Sequence, residues 1–151
     1  MITTLDPSLS VRGKIIASLK ADAQLTAIVP AARIYPSKSP ASPIFPFIRV
    51  PMLTGTVAEL DGGSGSDQSG VIHCFTKLKV TAPPAADDVL DPEAQAATIN
   101  AHIVRIVSAI DAVPLADGES LGVHAVQTQV LEDSAEADAY HGVVQIRATA
   151  T

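Results

Sequence analysis

Four isoleucines, Ile99, Ile103, Ile106 and Ile110, recur at intervals of four, three and four residues. On a helix that spacing gathers them into one stripe, which must be buried against another element. The matching surface is supplied by strands. Val71 to Val80 alternates most clearly: Ile72, Cys74, Leu78 and Val80 share one side with Thr76, while Val71, His73, Phe75, Lys77 and Lys79 share the other. A one-sided helix and a one-sided strand in the same short chain point to helices laid over one face of a sheet.

The remaining elements fit that plan. Asp6 and Pro7 suit the start of a first helix, in which Val11, Ile15 and Leu19 form the apolar stripe. Asp22 caps a short turn carrying Leu25 and Ile28, and Pro30 ends it. Arg33 to Tyr35 is a brief extended piece. Phe47 to Thr54 alternates as a strand with Ile48, Val50 and Met52 on one side, and Pro51 forces an edge or a bulge there. Asp91-Pro92-Glu93 opens the isoleucine helix, and Val123–Val130 and Val143–Ala148 close the chain as two more strands. The order is α-β-β-α-β-β. The expected class is α+β, an antiparallel sheet of four to five strands with two helices packed on one face. The 151 residues suit a single domain, with long flexible loops at 59–70, 81–91 and 132–139. Aromatic residues make up 3% of the chain and Trp is absent, so the core is expected to be thin and built from small aliphatic side chains.

Charge is unevenly spread. Residues 1–50 carry a balance of +4, and residues 51–100 and 101–151 carry −5 each, within a total of −6. The acidic total argues against a free nucleic-acid binder, and the polarity favours head-to-tail contact between identical copies. The apolar runs are shorter than the roughly 18 residues a membrane span requires. Met1 to Asp6 has no secretory-signal pattern, and the single cysteine, Cys74, cannot form an internal disulfide. A non-secreted domain without membrane contact is expected.

Chemistry-bearing motifs fail on inspection. Gly62, Gly63, Gly65 and Asp67 fit one calcium-binding nonapeptide, but that motif works in stacks and its apolar anchor is Ser69 here. An EF-hand would need ligands where Gly63 and Gly65 stand, and a dinucleotide fingerprint would need glycine at Gln68 and a following helix. His73, His102, His124 and His141 have no metal-ligand spacing; His124 and His141 can meet across the last hairpin but suit solvent-facing strand positions. Cys74 falls on the apolar side of its strand, the place of an inert thiol. No catalytic residue, metal ligand or cofactor is expected, and no enzyme is visible.

Leu19 to Pro36, LKADAQLTAIVPAARIYP, holds a Leu-x-x-Asp-x-x-Leu segment followed by Arg-Ile-Tyr-Pro. A proline-rich entry to a strand, PIFPFIRV, follows at Pro43 to Val50. In these features the chain resembles the tail-terminator or tail-completion proteins of long-tailed phages and gene transfer agents, which join head to tail. The resemblance implies a structural virion protein: a ring, typically of six copies, at the head-proximal end of the tail. Such a ring ends tail-tube polymerisation, docks the head connector and lets DNA pass without specific binding. It implies the chain itself, the tail-tube protein and the head-completion (stopper) protein as partners. The location implied is the head–tail junction, with host cytoplasm before assembly. A stopper or tail-tube subunit is the neighbouring alternative, and a cellular small-molecule-binding α+β domain the remote one.

Candidate inter-ring or lumen contacts follow from the acidic and glycine-rich loops: Glu59, Asp61, Gly62, Gly63, Gly65 and Asp67 in the first, Glu132, Asp133, Glu136 and Asp138 in the second. Both are expected to be mobile tips, and an acidic lumen would keep DNA moving. Arg12, Lys14, Arg33 and Arg49 are the candidate basic residues of the subunit interface.

Overall fold

The structure is a computed structural model and describes residues 8–60, 63–114 and 120–150. Helix α1 spans Ser8–Ala21, and its stripe of Val11, Ile15 and Leu19 is fully buried. The expected cap at Asp6 and Pro7 lies outside the described residues. The short helix α2, Ala23–Thr26, starts where Asp22 accepts a hydrogen bond from the Leu25 amide at 2.9 Å. A single 3-10 turn at Ala31–Arg33 leads into β1, Ile34–Tyr35. Strands β2 (Phe47–Arg49), β3 (Thr54–Leu60) and β4 (Gly63–Lys77) precede α3, Pro92–Ser108. Strands β5 (Val113–Pro114), β6 (Ser120–Glu132) and β7 (Ala139–Ala150) complete the sheet.

The class is α+β, as the sequence implies, but the sheet holds seven described strands, in the order β1-β2-β4-β7-β6-β5, with β3 also paired to β4. Its centre is the antiparallel pair β4 and β7, running from Gln68↔Ala148 to Lys77↔Ala139. Antiparallel partners share a face, so Ile72 and Cys74 of β4 line up with Val144 and Gly142 of β7 on the inner side. Ile99, Ile103, Ile106 and Ile110 are all buried in the core that also contains Ile72, Val144 and Ile146. Asp91 caps α3 through the Ala94 amide at 3.0 Å, and Pro92 occupies its first turn.

Five stretches differ from expectation. Phe47–Thr54 is not one strand: β2 ends at Arg49, Met52 is 44% exposed, and β3 begins at Thr54. Both pieces pair with β4, and the register slips by one residue between Arg49↔His73 and Thr54↔Ser69, so Pro51 sits in a bulge. Leu78 and Val80, expected on the buried side of the next strand, are instead exposed because β4 stops at Lys77.

The supposed flexible loop at 59–70 is a ribbon. Strands β3 and β4 pair continuously from Thr54↔Ser69 to Leu60↔Gly63, and only residues 61–62, between them, lie outside the description. A ribbon formed by backbone hydrogen bonds alone needs no apolar alternation, which is why the sequence shows none. The segment 81–91 is gathered around Asp88, whose carboxylate accepts from the amides of Thr81 and Ala85 (both 3.1 Å) and from the Thr81 hydroxyl. The acidic turn after β6 is equally tied. The Asp133 amide donates to the Ala139 carbonyl (2.9 Å), the Ala135 amide to the Asp133 carboxylate (3.0 Å), and the Leu78 amide to the Asp138 carbonyl (2.9 Å). Short acidic side chains here serve the turn geometry, with Asp138 at φ 57°.

The inner packing makes a direct prediction. A Cβ on Gly142 would collide with the Cys74 sulfur and stand 2.6 Å from Asn100 Oδ1, whereas one on Gly13 in α1 would meet nothing within 4 Å. Gly142→Ala is therefore expected to cost about 1–3 kcal/mol by overpacking. Gly13→Ala should gain roughly 0.5–1 kcal/mol from helix propensity. Urea unfolding of both variants checks the opposite signs.

Candidate functional site

All the described helices that contribute to the core lie on one side of the sheet, and no described helix covers the other. Register places Tyr35, Phe47, Arg49, Ser69, Val71, His73, Phe75 and Lys77 on that outer face, together with His141, Val143, Gln145 and Arg147 of β7. Strand β6 adds His124, Gln127, Gln129 and Leu131. Four of the chain's five aromatic residues gather here, Tyr35, Phe45, Phe47 and Phe75. The core against the helices is correspondingly aliphatic, as the low aromatic content implied.

Rings from three adjacent strands stack into a ladder. Phe47 and Phe75 have centroids 4.7 Å apart, Phe75 and His141 4.4 Å, and His141 and His73 4.9 Å. The imidazoles share a hydrogen bond, with His73 Nδ1 and His141 Nε2 2.7 Å apart, so one ring donates and the other accepts. The Arg49 guanidinium lies over Phe75, 5.0 Å from the centroid, and its buried Nε has no hydrogen-bond partner among the described residues. Burial, then the His141 and Arg49 charges, push the His73 pKa down to about 4. Burial also lowers that of His141, with Arg49 adding and Asp133 opposing. Both rings are therefore neutral near pH 7.

The candidate residues do not form a single patch. Arg12 and Lys14 are on α1, on the helical side, where Arg12 donates to the Ser37 hydroxyl at 3.1 Å. Arg33 donates to the Phe45 carbonyl at 3.3 Å. Arg49 is on the opposite face of the sheet, so the four basic residues are not one surface. Glu59, Gly63 and Gly65 occupy ribbon positions, and Asp67 at the ribbon root pairs with Arg147 at 3.2 Å. Asp61 and Gly62 fall outside the described residues. Glu132, Asp133, Glu136 and Asp138 stand at the other end of β4, where Glu136 reaches Lys77 at 3.0 Å. The two acidic groups thus mark opposite ends of a 15-residue strand, roughly 45 Å apart.

The His73–His141 contact was not anticipated. Sequence reasoning allowed His141 to meet His124 across the last hairpin while favouring solvent-facing positions for both; in the structure His124 faces Arg147 and His141 faces Leu131 there. The missing fact was that β7 also pairs with β4, which puts His141 beside Phe75. Cys74 is fully buried as expected, within 3.5 Å of Asn100 Oδ1, and burial pushes its pKa up to about 12. It is a protonated thiol without nucleophilic character. Among the described residues no three His, Cys, Asp or Glu side chains converge on a metal-sized site, and no helix is long and apolar enough to cross a membrane.

The depressed imidazoles make stability pH-dependent. Below the ordinary histidine value of 6.5 the unfolded chain takes up protons that the folded chain refuses, so stability is full above that pH and falls towards pH 4. Asp22 acts lower. Its carboxylate, clamped by two 2.8 Å bonds from Arg105, is held well below the ordinary value of 3.8, and its contribution is lost only beneath that. His73→Gln is expected to show a smaller loss of urea midpoint between pH 7.5 and 5.0 than the natural chain; an equal loss would contradict the assignment.

The family model for tail completion protein gp17 matches residues 13–151. Among solved structures, a chain from the virion of a native gene transfer agent particle has a similar fold, with a TM-score of 0.70 at 19% identity and 93% of each chain covered. No curated protein matches the sequence. Because the family match spans the fold from α1 to the last strand, the chain belongs to the tail completion protein gp17 family, a family of structural phage tail proteins.

Proposed function

We propose that identical copies of this chain close into a ring, of six copies, at the head-proximal end of a phage-like tail. The ring ends tail-tube growth, joins the tail to the head connector and leaves a passage for DNA. It is a component of the assembled particle, made in the host cytoplasm, and its neighbours are the tail-tube protein and the connector (stopper) protein. The gene transfer agent virion that shares its fold supports the same setting.

The observation that carries this reading is a pair of unpaired sheet edges. Strand β3 pairs with β4 and has no described strand on its other side. Strand β6 is flanked by β5 only at Ser120 and Leu121, so from His124 to Glu132 its outer edge has no described strand beside it. Exposed edges are open to further strands, and two different edges on one subunit give a heterologous contact that closes when the rotation allows. The ribbon of β3 and the start of β4 strengthens the case. Residues 63–67 of β4 pair only with β3, and a two-stranded ribbon is marginal in water without a surface to lie on. A neighbouring copy supplies that surface. With strands running along the ring axis, the ribbon with Glu59, Gly63, Gly65 and Asp67 faces one axial neighbour. The turn with Glu132, Asp133, Glu136 and Asp138 faces the other.

Native mass spectrometry and electron microscopy of the purified protein test this. Discrete closed rings are expected, and adding them to growing tail tubes should stop elongation. Filaments or a strict monomer at every concentration would overturn the proposal. Val126, 55% exposed beside the β6 bulge, gives the matching variant. Val126→Lys should leave the unfolding midpoint within about 0.5 kcal/mol, as a surface change does, while shifting the ring to monomer.

A further inference from the structure

We infer that the uncovered sheet face is a wall turned towards duplex DNA, with Arg49 and Arg147 making weak, sequence-independent contacts to the phosphate backbone. This rests on the ring reading, and it assigns the lumen to a sheet face in place of acidic loops.

The charge census of the face points that way. The chain has 16 acidic and 10 basic side chains. Yet the outer positions of the strands hold Arg49, Lys77 and Arg147, with His73, His124 and His141 among them. Asp67 is the one carboxylate at an outer strand position whose side chain is described, and Glu136 reaches in from the turn. Those two acids sit on Arg147 and Lys77, in exposed pairs that contribute little. Arg49 forms no ion pair with a carboxylate among the described residues. It rests on an aromatic ring beside two imidazoles, with a buried N–H lacking an acceptor. A half-buried guanidinium among neutral rings, in a chain with acids to spare, is an arrangement completed by an oxyanion from outside.

The rest of the face favours DNA over protein as the source of that oxyanion. Ser69, Gln127, Gln129 and Gln145 are exposed on it and keep it hydrated, whereas the centre of a protein interface is apolar and depleted of charge. A duplex offers phosphates continuously, so no register between wall and DNA is needed. Three fixed cations per copy, two of them partly neutralised, give a loose contact that lets DNA slide.

Fluorescence anisotropy with two mixed-sequence 30-base-pair duplexes, at 50 and 200 mM salt, tests the assignment on the purified protein, with the mass of each variant's assembly measured in parallel. The natural chain is expected to bind both duplexes alike and to lose affinity with salt. The Arg49→Gln/Arg147→Gln double variant should bind at least about fivefold more weakly with a flatter salt slope. Lys14→Gln/Lys20→Gln, on the helical side, should match the natural chain. Rings that do not bind DNA at 50 mM salt, or an equal loss in both double variants, would overturn the inference while leaving the ring intact. A double variant that breaks the ring without weakening DNA binding would make the face a protein interface and overturn it too. Absence of rings would count against the ring reading alone, since anisotropy on the unassembled chain still reads the face.

Discussion

The rest of the molecule depends on the seating of the α3 isoleucine seam over the pair β4 and β7. That pair is the sheet's centre, and its period of two fixes which side chains face the helix and which face away. Ile72, Cys74, Val144 and Ile146 go inward and are buried. Gly142 makes the close approach possible, leaving room for the Cys74 sulfur and for Asn100, whose amide reaches across to the Gln129 carbonyl at 3.1 Å. Once the inner side is committed, the outer side receives everything else: the ring ladder, three of the four histidines and a run of glutamines. One face closed by helices, one face without a described helix and two edges without a described partner strand all follow from this placement.

Much of this was legible in the chain and some was not, for physical reasons. The seam of α3, the α1 stripe and the caps at Asp22 and Asp91 rest on local periodicity and local hydrogen bonds, which a sequence displays directly. The Pro51 bulge follows from a missing N–H donor. The ribbon escaped because glycine and serine carry no alternation, although Asp61-Gly62 between two extended runs is itself a favoured hairpin dipeptide. The two acidic stretches looked mobile because their composition is polar, yet Asp88 and Asp133 spend their carboxylates on backbone amides. Pairing β4 with β7, residues about 70 positions apart in sequence, is non-local information, and without it the His73–His141 contact and the clustering of the aromatic residues stay hidden.

These features suit a member of a structural phage tail protein family. Its one thiol is buried and protonated, His73 and His141 share a hydrogen bond, Asp88 and Asp133 hold turns, and Asp67 and Glu136 pair with neighbouring cations. What the surface offers is backbone hydrogen bonding at two edges and a polar, mildly cationic wall between them. In the proposed ring such a subunit meets its own copies through geometry and a passing polyanion through weak charge, which suits membership of a tail completion family.

The central claim is that copies join through the free edges of β3 and β6, and engineered inter-copy disulfides measure it most directly. Thr54, at the start of β3, and Thr128, on β6, are both exposed, and the natural Cys74 is too deeply buried to interfere. Under mild oxidation the Thr54→Cys/Thr128→Cys variant should give a ladder of covalent oligomers ending at the ring's copy number, with neither single variant going beyond dimers. Rings that form while the double variant stays monomeric on a denaturing gel would contradict the account.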